Sequence, residues 1–195
     1  MRLAERLRAR LAETAHLPPI AGRDDRVAPG TRATPASVLV GVVDRPEPTL
    51  LLTKRDERLR NHPGQVAFAG GRADPGDTSP AATALREAYE EIAMPPDAVE
   101  LVGEDCAYQT GSGFLITPVV GVVPPDLPLH PCEIEVAKIF EVPLGWLMDP
   151  ANRVAHRAEW EGRLHRFWEF PCKPHSIWGV TAALIVNLSR RIGHG

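Results

Sequence analysis

Positive charge is not in excess in this chain: its 195 residues carry 22 Lys and Arg against 25 Asp and Glu, a formal net charge of −3. A protein that grips nucleic acid through its phosphates needs a cationic surface, so that class is set aside. Cysteine is scarce as well. Cys106, Cys132 and Cys172 are odd in number, widely spaced and in no C-x-x-C pair, which argues against a disulfide framework or a zinc site and makes a reducing cytoplasmic compartment the expectation. No apolar run approaches the roughly 20 residues that span a bilayer. The N-terminal MRLAERLRARLAETA places charges where a signal peptide needs its apolar core. A soluble protein without stable membrane insertion follows as an expectation.

What is present fits a globular domain: 44% hydrophobic and 24% charged residues, with length enough for one substantial core. The 20 prolines are scattered between apolar segments rather than massed, which indicates a loop-rich domain, not a disordered one. Leu3, Leu7 and Leu11 recur every fourth residue and predict an amphipathic helix docked on the body. The stretch after it, up to residue 35, lacks any period and reads as an arm. Residues 1–35 are thus read as helix plus arm, and 36–195 as the main domain.

Short β-branched runs at 36–43 and 49–54, separated by DRPEP, predict a hairpin of core strands. Strand signals follow at 66–71 (ending in Gly70-Gly71), 99–102, 114–123 and 135–142. A short helix is expected after VPL, and a hairpin about Glu161-Gly162 joins 155–160 to 164–170. A closing helix is expected over 177–191, ended by Gly193.

The most informative segment is SPAATALREAYEEIAMPP. Ser79 suits an N-cap, Pro80 the first helical position, and Pro95-Pro96 a stop. At 100° per residue, Ala81, Leu85, Ala88 and Ile92 are expected on the buried face, with Glu87, Glu90 and Glu91 nearly opposite. Carboxylates at i, i+3 and i+4 repel, and two of them lie in the last turn, where the helix dipole disfavours anions. Arg86 alone does not neutralise three acids. A divalent cation such as Mg²⁺ or Mn²⁺ would, since hard oxygen ligands suit it and it bridges to phosphates. Phosphoanhydride hydrolysis is the chemistry this favours. Arg55, Arg60 and His62, with Lys54 as a weaker partner, supply a basic group for an anionic ligand.

Gly71, Asp77 and Arg86-Glu87-x-x-Glu90-Glu91-Ile92 resemble the Nudix box, usually G-x5-E-x7-R-E-U-x-E-E-x-G-U. Asp77 stands in place of Glu, the following gap is one residue longer, and Ala93 replaces the last Gly. The first two departures match the variant box of the coenzyme A pyrophosphatase branch. The preceding LLTKRDERLRNHPGQVAFAGG resembles that branch's additional signature, with Ala69 in place of its proline. EVAKIFEVPL and HSIWGVTAALI resemble its later segments.

The resemblance implies an α/β fold, a Nudix α/β/α sandwich with a mixed β-sheet and a loop-helix-loop catalytic motif. It implies metal ligation by Glu87, Glu90 and Glu91 with the Gly71 carbonyl, and a positioning role for Arg86. Glu135 is the expected general base at a strand start, with Glu133 beside it on the same face, and a box glutamate that orients the water is the alternative. Arg55, Arg60, His62, Gln65, Phe68 and Gly70 are the expected substrate contacts. The implied reaction is Mg²⁺- or Mn²⁺-dependent cleavage of coenzyme A or acyl-coenzyme A, a small-molecule substrate, to 3′,5′-ADP and (acyl-)4′-phosphopantetheine. NADH or ADP-ribose is the alternative substrate, a catalytically silent nucleotide sensor the alternative class, and assembly as a homodimer is left open.

Overall fold

The computed structural model describes residues 1–21, 24, 27, 30, 32–160 and 163–193. The turn expected at Glu161-Gly162 and parts of the expected arm lie outside the described residues. The chain forms helices α1 (Leu3–Glu13), α2 (Pro80–Ile92), α3 (Leu144–Met148) and α4 (Val180–Ile192). Its strands are β1 (Thr34–Val43), β2 (Thr49–Arg55), β3 (Val66–Ala67), β4 (Ala69–Arg72), β5 (Glu100–Glu104), β6 (Tyr108–Gln109), β7 (Phe114–Val123), β8 (Val136–Pro143), β9 (Val154–Trp160), β10 (Arg163–Phe170) and β11 (Ile177–Trp178).

The apolar runs of β1, β2 and β7 are nearly unbroken because these strands are covered on both faces. Leu39, Val43, Leu51, Val119 and Val123 pack with Ala84, Ala88 and Ile92 of α2. Val40, Val42, Leu50, Leu52, Val120 and Val122 pack with α1, α3 and α4 on the other side. The sheet is mixed: β1 runs parallel to β7 through ten partner pairs, Thr34↔Phe114 to Val43↔Val123, and antiparallel to β2 and β4. The architecture is therefore the α/β/α sandwich expected. Strand β8 lies along β2 on the far side from β1. A second sheet, β11-β10-β9, delivers Phe170 and Ile177 to the core beneath α4.

Leu3, Ala4, Leu7 and Leu11 of α1 are buried in the same cluster as α4. The sheet begins at Thr34, two residues before the sequence reading placed it. Residues 177–178 pair with β10 rather than opening the closing helix, because Gly179, at φ 67°, turns the chain before α4 starts. Gly70-Gly71 lie inside β4 rather than at its end. A Cβ on Gly70 would collide with the Ser37 carbonyl and stand 2.6 Å from Val38 Cα, so only glycine lets β4 approach β1 there.

Helix α2 begins as its sequence dictates: Ser79 Oγ accepts from the Ala82 N–H at 3.1 Å, with Pro80 next. It ends before Pro95-Pro96, at Ala93, which adopts the left-handed conformation (φ 55°, ψ 32°) and donates its N–H to the Tyr89 carbonyl at 2.9 Å. Alanine is strained there, whereas glycine is not. Ala93→Gly is expected to stabilise the protein by about 0.5–1 kcal/mol, seen as a raised urea midpoint with unchanged m-value.

Candidate functional site

Two glycines on β4 bring the sheet up against α2, and the helix answers with carboxylates. A Cβ on Gly71 would lie 2.6 Å from the Glu87 carboxyl oxygens, so the side chain of Glu87 occupies space that any other residue would fill. Gly70 donates its N–H to Glu91 Oε2 at 3.2 Å. Glu91 is 6% exposed, which corrects the expected orientation of the helix. The buried face centres on Ala84, Ala88 and Glu91, while Ala81 and Leu85 sit at its margin, half-buried. The acids are consequently not equivalent. Glu90 is 55% exposed and pairs with Arg86.

Arg86 is a hub. Its Nε and Nη2 grip both oxygens of Asp77 at 3.1 and 2.9 Å, Nη1 reaches Glu87 at 2.9 Å and Glu90 at 3.0 Å, and Nη2 also donates to the Arg72 carbonyl at 3.0 Å. The forked guanidinium suits this set in a way a single ammonium would not. Asp77 further accepts from the Asp74 N–H and Thr83 Oγ1, each at 2.9 Å. The Arg86 hydrogen bonds, aided by the Asp74 N–H, hold the Asp77 carboxyl far below the usual carboxylate range. The sequence reading missed Thr83, since a threonine on a helix gives no signal of its partner.

Burial pushes the Glu87 carboxyl up, against the pull of Arg86. Burial pushes Glu91 further, to about 7, opposed by the Gly70 N–H and the charge of Arg55, with Glu135 and Glu87 adding repulsion. Among the described residues no Lys or Arg makes an ion pair with Glu91. A hard divalent cation fits this setting: two oxygen ligands against a glycine cradle, one of them buried without its counter-charge. Among the described residues no three His, Cys, Asp or Glu side chains converge as a ready-made cage. Of the three acids expected to hold the ion, Glu87 packs against Gly71 and Glu91 accepts from the Gly70 N–H, whereas Glu90 pairs with Arg86.

Glu135 lies in the turn before β8, exposed, not on the strand, and Glu133 shares that turn rather than a strand face. The turn is nonetheless fixed at the site. Cys132 N–H donates to the Glu91 carbonyl at 2.8 Å and His130 N–H to that of Ile92 at 3.1 Å, while the Glu135 carbonyl accepts from the Asp56 N–H at 2.9 Å. Arg55, at the end of β2, is close enough to act on Glu91, and its buried Nε has no hydrogen-bond partner. Gln65 closes the loop after β2, its carbonyl accepting from the Arg55 N–H at 2.9 Å. Arg60 and His62 are exposed on that loop, whereas Arg55 is half-buried at the strand end. Phe68, expected at the substrate, is instead 4% exposed in the core beneath α4, on the same face as Val66 two residues before it. Gly70 supports Glu91 from the backbone.

A family model described as NUDIX domain matches residues 33–161. The uncharacterized Nudix hydrolase NudL of Cronobacter sakazakii is 48% identical over 158 residues, covering 81% of this chain and 82% of that protein. A protein of the same description from Escherichia coli K12 is 44% identical over 158 residues, with the same coverage of 81% and 82%. Among solved structures, the Mycobacterium smegmatis Nudix hydrolase RenU is similar at a TM-score of 0.50 and 19% identity, over 63% of this chain and 78% of that one. That last likeness concerns the fold alone.

Proposed function

The chain belongs to the Nudix hydrolases, and from that premise we propose that it cleaves the diphosphate of coenzyme A or an acyl-coenzyme A, with Mg²⁺ or Mn²⁺, to 3′,5′-ADP and (acyl-)4′-phosphopantetheine. The observation that carries the reading is a convergence. Both ends of the segment LLTKRDERLRNHPGQVAFAGG reach the same carboxylate, Glu91: Arg55 through its charge and Gly70 through its N–H. The segment resembling the coenzyme A signature and the segment resembling the Nudix box thus form one site.

Glu87 and Glu91 would hold the ion, which when bound supplies charge neutralisation and polarises a phosphoryl oxygen. Arg55 faces the diphosphate, and Arg60, His62 and Gln65 line the approach from the loop. Glu135, held beside the site by its turn, takes the proton of the attacking water as the phosphorus–oxygen bridge breaks and the second phosphate leaves. Arg86 touches neither water nor substrate. It fixes Glu87 through the fork on Asp77, so Arg86→Lys is expected to lower kcat roughly 10–100-fold while KM changes little. Steady-state kinetics on the variant check this.

The reading is tested by supplying coenzyme A, NADH and ADP-ribose with Mg²⁺ or Mn²⁺ and identifying products by mass. Formation of 3′,5′-ADP and 4′-phosphopantetheine is the expected outcome. Coenzyme A left intact while NADH or ADP-ribose yields AMP would move the activity to other nucleoside diphosphate derivatives.

A further inference from the structure

The face of β2 and β8 turned away from α2 carries charge that the carboxylate pair does not explain. Lys54 and Lys138 are directly opposed partners in the antiparallel β2–β8 ladder. Like charges so placed are destabilising. Phe140 lies two residues beyond Lys138 and so on the same face of β8, and its ring centroid is 5.3 Å from the imidazole of His175. Nε2 of His175 is buried and has no hydrogen-bond partner. Burial, and the neighbouring charges of Lys138 and Lys54, hold the His175 pKa below its ordinary value, which places all three groups within electrostatic reach of one another. Among the described residues the acid that pairs with them is Glu57, 73% exposed, which accepts from Lys54 Nζ at 2.8 Å. Lys138 makes no ion pair among the described residues.

Two opposed ammonium groups and an imidazole with an unused ring nitrogen, set against a phenyl ring, form an incomplete site whose missing member is an anion. Lys54 immediately precedes Arg55, the residue that acts on Glu91. The two side chains leave β2 on opposite faces at the strand's last residues, so a ligand that turns round the end of β2 meets both groups.

We propose that Lys54, Lys138 and His175 form the subsite for a phosphomonoester that the substrate carries apart from its scissile diphosphate, in coenzyme A the 3′-phosphate of the adenosine. The identity of that phosphate rests on the coenzyme A reading; the subsite itself rests on the cluster. A phosphomonoester brings close to two negative charges and three acceptor oxygens. It relieves the Lys54–Lys138 repulsion and gives the His175 Nε2–H its acceptor. The Phe140 and His175 rings form the apolar wall against the attached nucleoside.

Calorimetric titration of the metal-free protein with 3′,5′-ADP and with 5′-AMP tests the subsite without catalysis. The wild type is expected to bind 3′,5′-ADP at least about tenfold more tightly than 5′-AMP, a difference of about 1.4 kcal/mol. Lys138→Gln, an exposed substitution that leaves the core untouched, is expected to erase most of that preference, and Arg190→Gln on α4 to leave it intact. Equal binding of the two nucleotides by the wild type, or a preference that Lys138→Gln does not reduce, overturns the proposal. The two readings fail separately. A protein that leaves coenzyme A uncut but keeps the Lys138-dependent preference refutes only the substrate, whereas one that cuts coenzyme A without the preference refutes only the subsite.

Discussion

Glu91→Gln is expected to lower turnover by roughly a hundredfold or more while making the metal-free protein more stable above pH 7. The two effects have one cause. Burial raises the Glu91 carboxyl from 4.5 to about 7, so between those values the folded protein keeps a proton that the unfolded chain has released. The stability this confers is complete below pH 4.5 and is lost as pH rises through 7. At pH 8 the ionised, buried carboxylate costs the metal-free fold on the order of 3 kcal/mol, which the neutral amide avoids. The amide keeps an oxygen to accept from the Gly70 N–H but has no charge for an ion.

Thermal unfolding in EDTA at pH 5 and pH 8, with and without Mg²⁺, separates these contributions. The wild type should melt lower at pH 8 than at pH 5 and recover with Mg²⁺, since a ligand bound only by the folded state stabilises it. Glu91→Gln should show a smaller drop between pH 5 and pH 8 than the wild type, and little response to Mg²⁺. A variant that turns over normally, or that melts below the wild type in EDTA at pH 8, contradicts the role given to Glu91.

This residue also marks where the sequence stops being legible. The ends of α2 are legible from Ser79-Pro80 and Pro95-Pro96 because caps and stops are local chemistry. Its rotation about its own axis is not, because a charged residue at the centre of the buried face runs against every hydrophobic pattern. What meets it there is the Gly70 N–H, brought across by the pairing of β4 with β1. The core strands were legible for the opposite reason. Runs such as ASVLVGVV are buried on both faces, so apolar content alone identifies them.

Elements defined by their partners were not legible. Strand β6 and strand β11 are two residues each, and Ile177–Trp178 carry no periodicity to distinguish them from the first turn of a helix. Glu135 was placed on β8 by the alternation of EIEVAKIFEV, yet the hydrogen bonds of the Cys132–Glu135 turn postpone the strand to Val136. Phe68 is a substrate contact by resemblance alone, yet it shares the face of Val66 and packs into the core. The opposition of Lys54 and Lys138 depends on register across strands far apart in sequence, for which no local signal exists.

Arg191→Met is expected to destabilise the protein by about 3–5 kcal/mol, or roughly 10 °C in melting temperature for a domain of this size, with kcat of the remaining folded enzyme little changed. Arg191 lies in the last turn of α4 with its side chain 8% exposed, paired with an Asp105 side chain that is 1% exposed. Its Nη1 reaches Asp105 Oδ1 at 3.1 Å, Nη2 donates to the Leu11 carbonyl at 2.8 Å, and Nε to Thr14 Oγ1 at 3.0 Å. One guanidinium therefore joins α4, the C-terminal end of α1 and the segment after β5, and satisfies a carbonyl that the end of α1 leaves open. Methionine replaces the volume but strands the Asp105 carboxylate.

Burial already raises the Asp105 carboxyl, against the pull of the Cys106 N–H and Arg191, and without Arg191 it rises further. The folded variant then holds a proton on Asp105 that the unfolded chain loses from about pH 4 upward. Its deficit should accordingly be smallest near pH 4 and grow as pH rises. Asp105→Asn combined with Arg191→Met should recover part of the loss, because no buried charge is left without its partner. Urea unfolding of both single variants and the double variant at pH 5 and pH 8 measures this. Single variants whose effects simply add, with no dependence on pH, would show that Arg191 acts through its packing and its hydrogen bonds to α1 rather than through Asp105.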